Sequence, residues 1–287
     1  MKFLKLKQTS LFKLAATSLL SGAALATGGW MYATKWEPGW LEISSVSLIL
    51  PRLHPAFDNY RIVLISDIHM GTWMTSQRLA EAIRAVNWLH ADLIAITGDF
   101  VTDIHHHTPT DLRQNLSKLK AKDGLFAVLG NHDYWSNAKT IRQILESCGI
   151  TELANAIHTL RRGKASLHIA GVDDYWENKA RLRNVIDQFP DKEAAILLAH
   201  EPDFAVISAK SGRFDLQLSG HTHGGQVNLP KIGPIVLPMY GRKYPAGLYQ
   251  IDDMLLYTNR GLGTGRPKIR FNCRPEITML TLHASML

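Results

Sequence analysis

From about residue 60 onward, short runs of consecutive apolar residues alternate with stretches whose apolar positions recur at helical spacing. Arg61 to Ser66 (RIVLIS), Leu93 to Thr97 (LIAIT), Leu125 to Leu129 (LFAVL), Ala194 to Ala199 (AAILLA) and Leu216 to Ser219 (LQLS) read as strands. The first four are apolar nearly throughout rather than alternating, which is the pattern of strands covered on both faces. Between them, Ser76 to His90 places Leu79, Ile83, Val86 and Leu89 on one helical face. Asn137 to Cys148 does the same with Ile141, Ile144 and Leu145 and stops at Gly149, and Asn178 to Phe189 repeats the pattern up to Pro190. Such alternation predicts an α/β sheet with helices packed on it. From Gly220 the chain is rich in Gly, Pro and short strand-like runs, which predicts a second sheet of mainly antiparallel structure.

Ahead of this body lies Leu14 to Ala33, twenty residues without a charge. As a helix they would extend roughly 30 Å, enough to cross a bilayer core. Lys2, Lys5, Lys7 and Lys13 precede the segment, and Trp30, Tyr32, Trp36 and Trp40 stand at its far end. Lysines on the N-terminal flank keep that end in the cytoplasm and the aromatic residues suit the opposite interface, so the body is expected outside the cytoplasm. Ala24-Leu25-Ala26 resembles a signal-peptidase site, so a cleaved signal competes with an anchor, and an interfacial or buried helix is a third reading. The expected division is residues 1–35 as anchor or signal, 36–59 as a lead-in, and 60–287 as the catalytic body.

Composition narrows the function classes. With 287 residues, 46% hydrophobic and 20% charged, the chain can build a core without stapling. Its two cysteines, Cys148 and Cys273, exclude a disulfide framework, and Cys148 reads as a core residue on an apolar helical face. The net charge of +7 falls to about +3 once the four N-terminal lysines are set aside, so a nucleic-acid partner is not expected.

Chemistry enters where the strands end. The five runs are followed in order by Asp67-Ile68-His69, Gly98-Asp99, Gly130-Asn131-His132-Asp133, His200-Glu201-Pro202 and Gly220-His221-Thr222-His223. Open α/β sheets form their sites at the carboxyl ends of strands, so five elements are expected to point into one crevice. Asp, His and Asn supply mixed oxygen and nitrogen donors without thiolate, which suits manganese, iron or zinc better than calcium. Seven such ligands are too many for one zinc, whereas two ions about 3.5 to 4 Å apart would use them all and clamp an in-line displacement. Two divalent cations, two carboxylates and a hydroxide leave a local excess of about +1, which favours an anion such as phosphate.

In that order, DxH, GD, GNHD, a lone His and GHTH resemble the calcineurin-like metallophosphoesterases, over roughly Tyr60 to the C-terminus. The resemblance implies a four-layer αββα sandwich of two mixed β-sheets flanked by helices, with the hydrophobic segment as an added N-terminal helix. It implies that Asp67, His69 and His223 hold one metal, that Asn131, His200 and His221 hold the other, and that Asp99 bridges them. It makes His132 the acid that serves the leaving oxygen, oriented with the help of Asp99, while a hydroxide between two divalent ions, manganese favoured over iron or zinc, attacks in line. EPGW, GHTHGGQ, NRGLGTG and NCRPEITML further resemble the bacterial membrane-associated YkuE/YaeI-type phosphodiesterases. That group is similar to lipid A pathway pyrophosphohydrolases acting on UDP-2,3-diacylglucosamine. A phosphorylated, lipid-linked substrate follows by that resemblance; a UDP-linked one would put the site on the cytoplasmic face instead. A general phosphodiesterase for small non-lipid substrates and a catalytically silent metal-binding scaffold are the alternatives.

Other features weigh less. His105-His106-His107 follows no strand end and reads as solvated loop, and Gly261-Leu262-Gly263-Thr264-Gly265 lacks the spacing of a nucleotide loop and reads as a turn beside the site. Trp73, Trp135 and Trp176 are candidates for an apolar rim that admits a lipid or nucleoside portion, against simple packing of loop on sheet. Arg242, Arg260, Arg266 and Arg270 are candidates for a second phosphate, against solvation at the surface.

Overall fold

The apolar runs assemble into two six-stranded sheets, seen in a computed structural model that describes residues 18, 20–71, 73–104, 107–190 and 192–285. The first sheet contains β1 (Glu42–Leu50), β2 (Tyr60–Ile65), β3 (Leu93–Thr97), β4 (Leu125–Val128) and β5 (Ile150–Glu152). The second contains β6 (Ala156–Arg162), β7 (Ala165–Gly171), β8 (Ala194–Leu198), β9 (Leu216–Ser219), β12 (Gly247–Ile251) and β13 (Met254–Thr258). A small hairpin, β10 (Asn228–Leu229) with β11 (Gly233–Pro234), stands apart from both, and β14 (Glu276–Ala284) returns to the first sheet.

Both sheets are mixed. Strands β2 to β5 run parallel, β14 lies antiparallel to β2, and β1 closes that edge parallel to β14. In the second sheet β7, β8, β9 and β13 are parallel, with β6 and β12 antiparallel at the edges. The expectation of a separate, mainly antiparallel C-terminal sheet is therefore wrong. The C-terminal strands divide: β12 and β13 extend the second sheet, while β14 inserts between β1 and β2. Which sheet a strand joins depends on partners distant in sequence, and local composition carries no record of that choice.

The strands are apolar throughout because alternate residues serve two cores. Ile62 and Leu64 of β2 face the second sheet, where they meet Leu167, Ile196 and Leu218. Val63 and Ile65 face the other way. There they pack under α1 (Ser76–Trp88), α2 (Thr108–Leu116) and α4 (Ala138–Ser147), through Leu79, Ile83, Leu112 and Ile144. On the far side, Ala195 and Leu197 of β8 lie beneath α5 (Leu182–Ile186) and α6 (Ala205–Ser208), through Val185 and Ala205. The result is helix, sheet, sheet, helix. Truncating Leu64, which is fully buried between the sheets, would cost about 2–5 kcal/mol. The starts of α1 and α4 are set by Thr75 and Asn137, whose side-chain oxygens accept from Arg78 N and Thr140 N.

Local expectations fare unevenly. The helices expected at Ser76 to His90 and Asn137 to Cys148 form with slightly tighter ends. Of Asn178 to Phe189 only α5 is helical, because residues 174–179 fold into a turn closed by Lys179 N donating to Asp174 O at 2.9 Å. Cys148 lies at the end of α4, half-buried rather than in the core. The lead-in residues contribute β1 and thus belong to the first sheet.

The four N-terminal lysines, the start of the apolar segment, His105 and His106 lie outside the described residues. Residues 20–31 are helical and exposed, and the helix widens into a π-turn at Tyr32–Trp36 before a tight 3₁₀ turn at Glu37–Gly39. Among the described residues, no helix is long and apolar enough to cross a membrane. Glu37 is fully buried, and its carboxylate accepts from Asn272 N and Cys273 N, fastening this turn to the body.

Candidate metal centre

At the carboxyl ends of β2, β3, β4, β8 and β9 the backbone turns sharply and brings seven side chains together. Five of them, Asp67, His69, Asp99, His221 and His223, have φ between 49° and 71°. That left-handed conformation is uncommon for residues with a side chain and is tolerated where surrounding contacts enforce it. Gly98, at φ 88°, has no such latitude. A Cβ there would lie 2.6 Å from His200 Nδ1 and 2.7 Å from Gly130 N. The glycine in GD is thus the space into which His200 and the β4 loop close.

The imidazoles meet tip to tip. His69 Nε2 is 2.9 Å from His223 Nε2, and His221 Nδ1 is 3.1 Å from His200 Nε2. Asp99 Oδ2 lies between the pairs, 3.4 Å from both His69 Nε2 and His200 Nε2, and Asp67 Oδ1 is 3.5 Å from His223 Nε2. The ligand-capable atoms fall into overlapping groups: Asp67, His69 and His223; His69, Asp99 and His132; Asp99, His200 and His221. Asp99 is shared by two of them, as a bridging carboxylate would be.

Three of the four rings have a partner on their far side, while His223 Nδ1 is buried without one. His200 Nδ1 is 2.6 Å from Thr97 O and His221 Nε2 is 2.8 Å from Met239 O. A carbonyl can only accept, so those nitrogens carry the protons and the lone pairs at His200 Nε2 and His221 Nδ1 face inward. A hydroxyl both donates and accepts, so His69 Nδ1, 2.9 Å from Thr102 Oγ1, has an acceptor for its proton when its Nε2 lone pair turns inward. Asp67 is oriented by His221 N, which donates to both carboxylate oxygens, and Asp99 Oδ1 accepts from His132 N at 2.9 Å.

Burial sets the electrostatics. It pushes His69 down to about 3 and His221 to about 4, and takes His223 well below its ordinary value, so these rings are neutral donors. Burial pushes Asp67 up to about 7. At His200 and Asp99 the burial cost is outweighed by their mutual attraction, which raises the imidazole and lowers the carboxyl. A divalent cation would take the place of any proton held among these donors. The donor set fits such ions. It is nitrogen and oxygen without sulfur, and Asn131 Oδ1 is buried in the pocket with no hydrogen-bond partner.

A cleft of about 470 Å³ opens over these residues. Asp99, Asn131, His132, His221 and His223 form its polar floor, and Trp135, Trp176, Val227, Ile235, Val236 and Ile269 its apolar walls. The ring of His132 is held between His69 and Trp135, at centroid distances of 4.8 and 4.7 Å, and Trp176 packs against His221 at 5.5 Å. Of the aromatic candidates, Trp135 and Trp176 thus stand on the cleft. Trp73 is not among the cleft-lining residues; it packs on the core of the first sheet with Arg78 over its ring.

The four arginines separate likewise. Arg266 lines the cleft, with Nη2 2.9 Å from Asp103. Arg260 is engaged by Glu276 and Glu42. Arg270 is fully buried and donates to the carbonyls of Arg260, Gly261, Gly263 and Cys273, so it shapes the turn that packs against Asp67. Arg242 is exposed away from the cleft, its N–H meeting Asp203.

Several residues around the site carried no recognisable sequence signal. Thr102, the Met239 carbonyl and Glu201, which accepts from Tyr175 N and Trp176 N and so places the Trp176 loop, are defined only by contacts. Asp133 could have been found, since it closes the GNHD run. Its carboxyl accepts from Phe100 N, Val101 N and Gly130 N, tying the β3 and β4 loops together, while burial pushes it up to about 8.

Known proteins resemble this chain. Residues 60–225 match the family model of the calcineurin-like phosphoesterases. The metallophosphoesterase YkuE of Bacillus subtilis is 35% identical, with the alignment covering 93% of this chain and 94% of YkuE. The phosphodiesterase YaeI of Escherichia coli is 32% identical over 91% of this chain and 96% of its own. The UDP-2,3-diacylglucosamine pyrophosphatase LpxG of Chlamydia trachomatis is 28% identical over 92% and 95%. Among solved structures, the sulfate thiohydrolase SoxB of Thermus thermophilus superposes with a TM-score of 0.51 at 12% identity, over 80% of this chain and 57% of SoxB, which shows a shared fold.

Proposed function

This chain belongs to the calcineurin-like phosphoesterase family, and on that premise we propose that it cleaves a phosphodiester or pyrophosphate bond in a lipid-linked substrate such as UDP-2,3-diacylglucosamine. As a member of the family it is a metal-dependent hydrolase of phosphoester bonds. The observation that carries the reading is the position of Asp99, shared between two groups of inward-facing donors on the floor of an apolar-walled cleft.

Asp67, His69 and His223 would hold one ion, Asn131, His200 and His221 the other, and Asp99 both. Two divalent ions so held, manganese favoured, would supply Lewis acidity toward the phosphoryl oxygens and an acidified water as nucleophile. The chain's own residues do the rest. The carbonyls of Thr97 and Met239 fix the tautomers of His200 and His221 before any substrate arrives, and Thr102 offers an acceptor to His69 Nδ1, so little reorganisation accompanies binding. His132 lines the cleft with its backbone N–H fixed by Asp99 and its ring held by His69 and Trp135. It would give a proton to the departing oxygen. Trp135, Trp176, Ile235 and Val236 would receive the apolar portion of the substrate, and Arg266, on the cleft lining, would offer its guanidinium to a second phosphate. The similarity to LpxG supports the lipid-linked pyrophosphate, and that to YaeI the diester.

The test is a substrate profile of the purified protein with manganese, before and after chelation, on UDP-2,3-diacylglucosamine, glycerophosphodiesters and bis(p-nitrophenyl) phosphate. Chelation should abolish turnover and manganese restore it, with the acylated substrate preferred. Turnover that ignores acyl chains would reject the lipid portion in favour of a general phosphodiesterase. No turnover with any substrate or metal would leave only the silent scaffold.

A further inference from the structure

The rim of the cleft carries apolar surface that nothing else among the described residues covers. Ile232 is 75% exposed, Ile235 56%, Val236 73% and Met239 50%, all on or beside the β10–β11 hairpin. Across the cleft mouth, Pro267 and Ile269 form the other lip, with Arg266 and Lys268 exposed beside them. Scattered single apolar side chains are ordinary at a surface, but a contiguous group bordering a cleft marks a place of contact.

The charge pattern says with what. From Gln226 to Gln250 the chain has three basic residues, Lys231, Arg242 and Lys243, and no acidic one; Arg260 to Asn272 adds Arg260, Arg266, Lys268 and Arg270, again with no acidic residue. Arg260 and Arg270 are occupied inside the molecule, and the acidic groups near the cleft mouth from other elements include Asp103, beside Arg266, Asp203, at the backbone of Arg242 and Lys243, and Glu177, whose carboxylate accepts from Trp135 Nε1 on the opposite wall. The exposed remainder is basic and apolar, the combination that favours an anionic lipid surface. A second copy of the chain fits less well, because a symmetric contact would set Lys231 and Lys268 of one rim against those of the other.

The two lips also form one piece with the emergence of the N-terminal helix. Phe271 N donates to Gln226 O and Asn228 N to Phe271 O, each at 2.8 Å, and Gly265 N donates to Gln226 Oε1 at 2.6 Å. Arg270 N donates to Ala33 O at 2.9 Å, and the Tyr32 ring stands edge-on to Phe271 at 6.1 Å. The exposed Leu20, Leu25 and Trp30 therefore leave the body from the segment that carries the rim.

We propose that the cleft rim, centred on Ile232, Ile235, Val236 and Met239 and flanked by Lys231 and Lys268, docks into the surface of an anionic lipid bilayer. The cleft mouth then rests on the membrane. This goes beyond the phosphohydrolase reading and stands without it, since the contact is defined by rim residues alone.

The test uses the full chain carrying Ile232→Cys in a Cys148→Ser background, labelled with an environment-sensitive fluorophore. A control probe replaces Lys122, whose side chain is 70% exposed and which precedes β4, at the end of the sheet opposite the cleft. With phosphatidylcholine vesicles containing phosphatidylglycerol, the Ile232 probe should shift to the blue and be quenched by brominated acyl chains, while the control does neither. Lys231→Gln together with Lys268→Gln should weaken the response roughly 25-fold, about fivefold for each basic residue. A Val236→Cys probe repeats the measurement independently of any local effect at Ile232. The proposal is overturned if both rim probes behave like the control while the protein floats with the vesicles. An equal response on phosphatidylcholine alone would also overturn it, as would a shift that grows with protein concentration without vesicles, which would assign the rim to a second copy.

Discussion

Replacing Thr102 by valine isolates one hydrogen bond of the metal centre without altering its shape. Thr102 Oγ1 stands 2.9 Å from His69 Nδ1, and valine puts a methyl group there. In the metal-free protein the ring can respond by moving its proton to Nε2, which already faces His223 Nε2 at 2.9 Å, so the free form escapes most of the cost. With a cation in place Nε2 must present its lone pair, and the proton on Nδ1 is buried without an acceptor. An unsatisfied buried donor costs about 1–3 kcal/mol, which agrees with the roughly 10- to 100-fold loss of affinity typical of removing such a ligand partner. Calorimetric titration of chelator-treated protein with manganese should show that loss at one of two sites, that of Asp67, His69 and His223. The site of Asn131, His200 and His221 should change far less, and Thr102→Ser should restore the first. Unchanged affinity at both sites, or equal weakening of both, would refute the assignment of tautomer and of ligand sets together.

Further predictions concern chemistry, stability and pH. His132→Gln should retain manganese affinity yet lower turnover about 10²- to 10⁴-fold, and normal turnover would remove His132 from the proton transfer. Asp133→Ala strands the N–H groups of Phe100, Val101 and Gly130, so it should cost several kcal/mol in denaturant unfolding, at about 1–3 kcal/mol for each stranded group. Asp133→Asn, which keeps one acceptor, should lose clearly less; equal losses would count against the hydrogen bonds as the cause. At Glu276, burial raises the carboxyl, but the bonds and charge of Arg260, with help from Ser44 and Tyr257, bring it below its ordinary value. A depressed carboxyl contributes stability above the unfolded pKa, about 4.3, and loses it as pH falls through the folded one. The stability lost in Arg260→Met should accordingly be greatest near neutrality and shrink below about pH 4.3, and a pH-independent difference would contradict the linkage.

Much of the donor cluster was legible in the sequence because donor residues at strand ends are written locally. Each apolar run marks a buried strand, each is followed by a turn carrying Asp, His or Asn, and the glycines of GD and GH leave the room those turns need. The elements that were missed lack such a mark. Strand β1 lies in the lead-in and alternates polar with apolar residues, as does an edge strand with one wet face. The β6–β7 hairpin turns at Gly163 between two basic residues, and α2 follows the histidine-rich loop, where polar composition hides Leu112 and Leu116. Among the arginines, residue type suggested phosphate at four positions. Only contacts separate Arg266 on the cleft from Arg270, whose guanidinium is spent on backbone carbonyls.

By itself the sequence determined the alternation of strands and helices, the order of the donor residues and their nitrogen and oxygen character, since each is a property of neighbouring residues and their periodicity. Tertiary structure alone decided that β14 enters the first sheet while β13 joins the second, that Thr97 and Met239 choose the tautomers of His200 and His221, and that Thr102 meets His69 Nδ1. It also decided that the walls of the cleft come from segments as distant as Trp135, Val236 and Ile269. Those outcomes depend on contacts between residues far apart along the chain, and they exist only once two sheets have closed over a common core and excluded water from the ends of their strands.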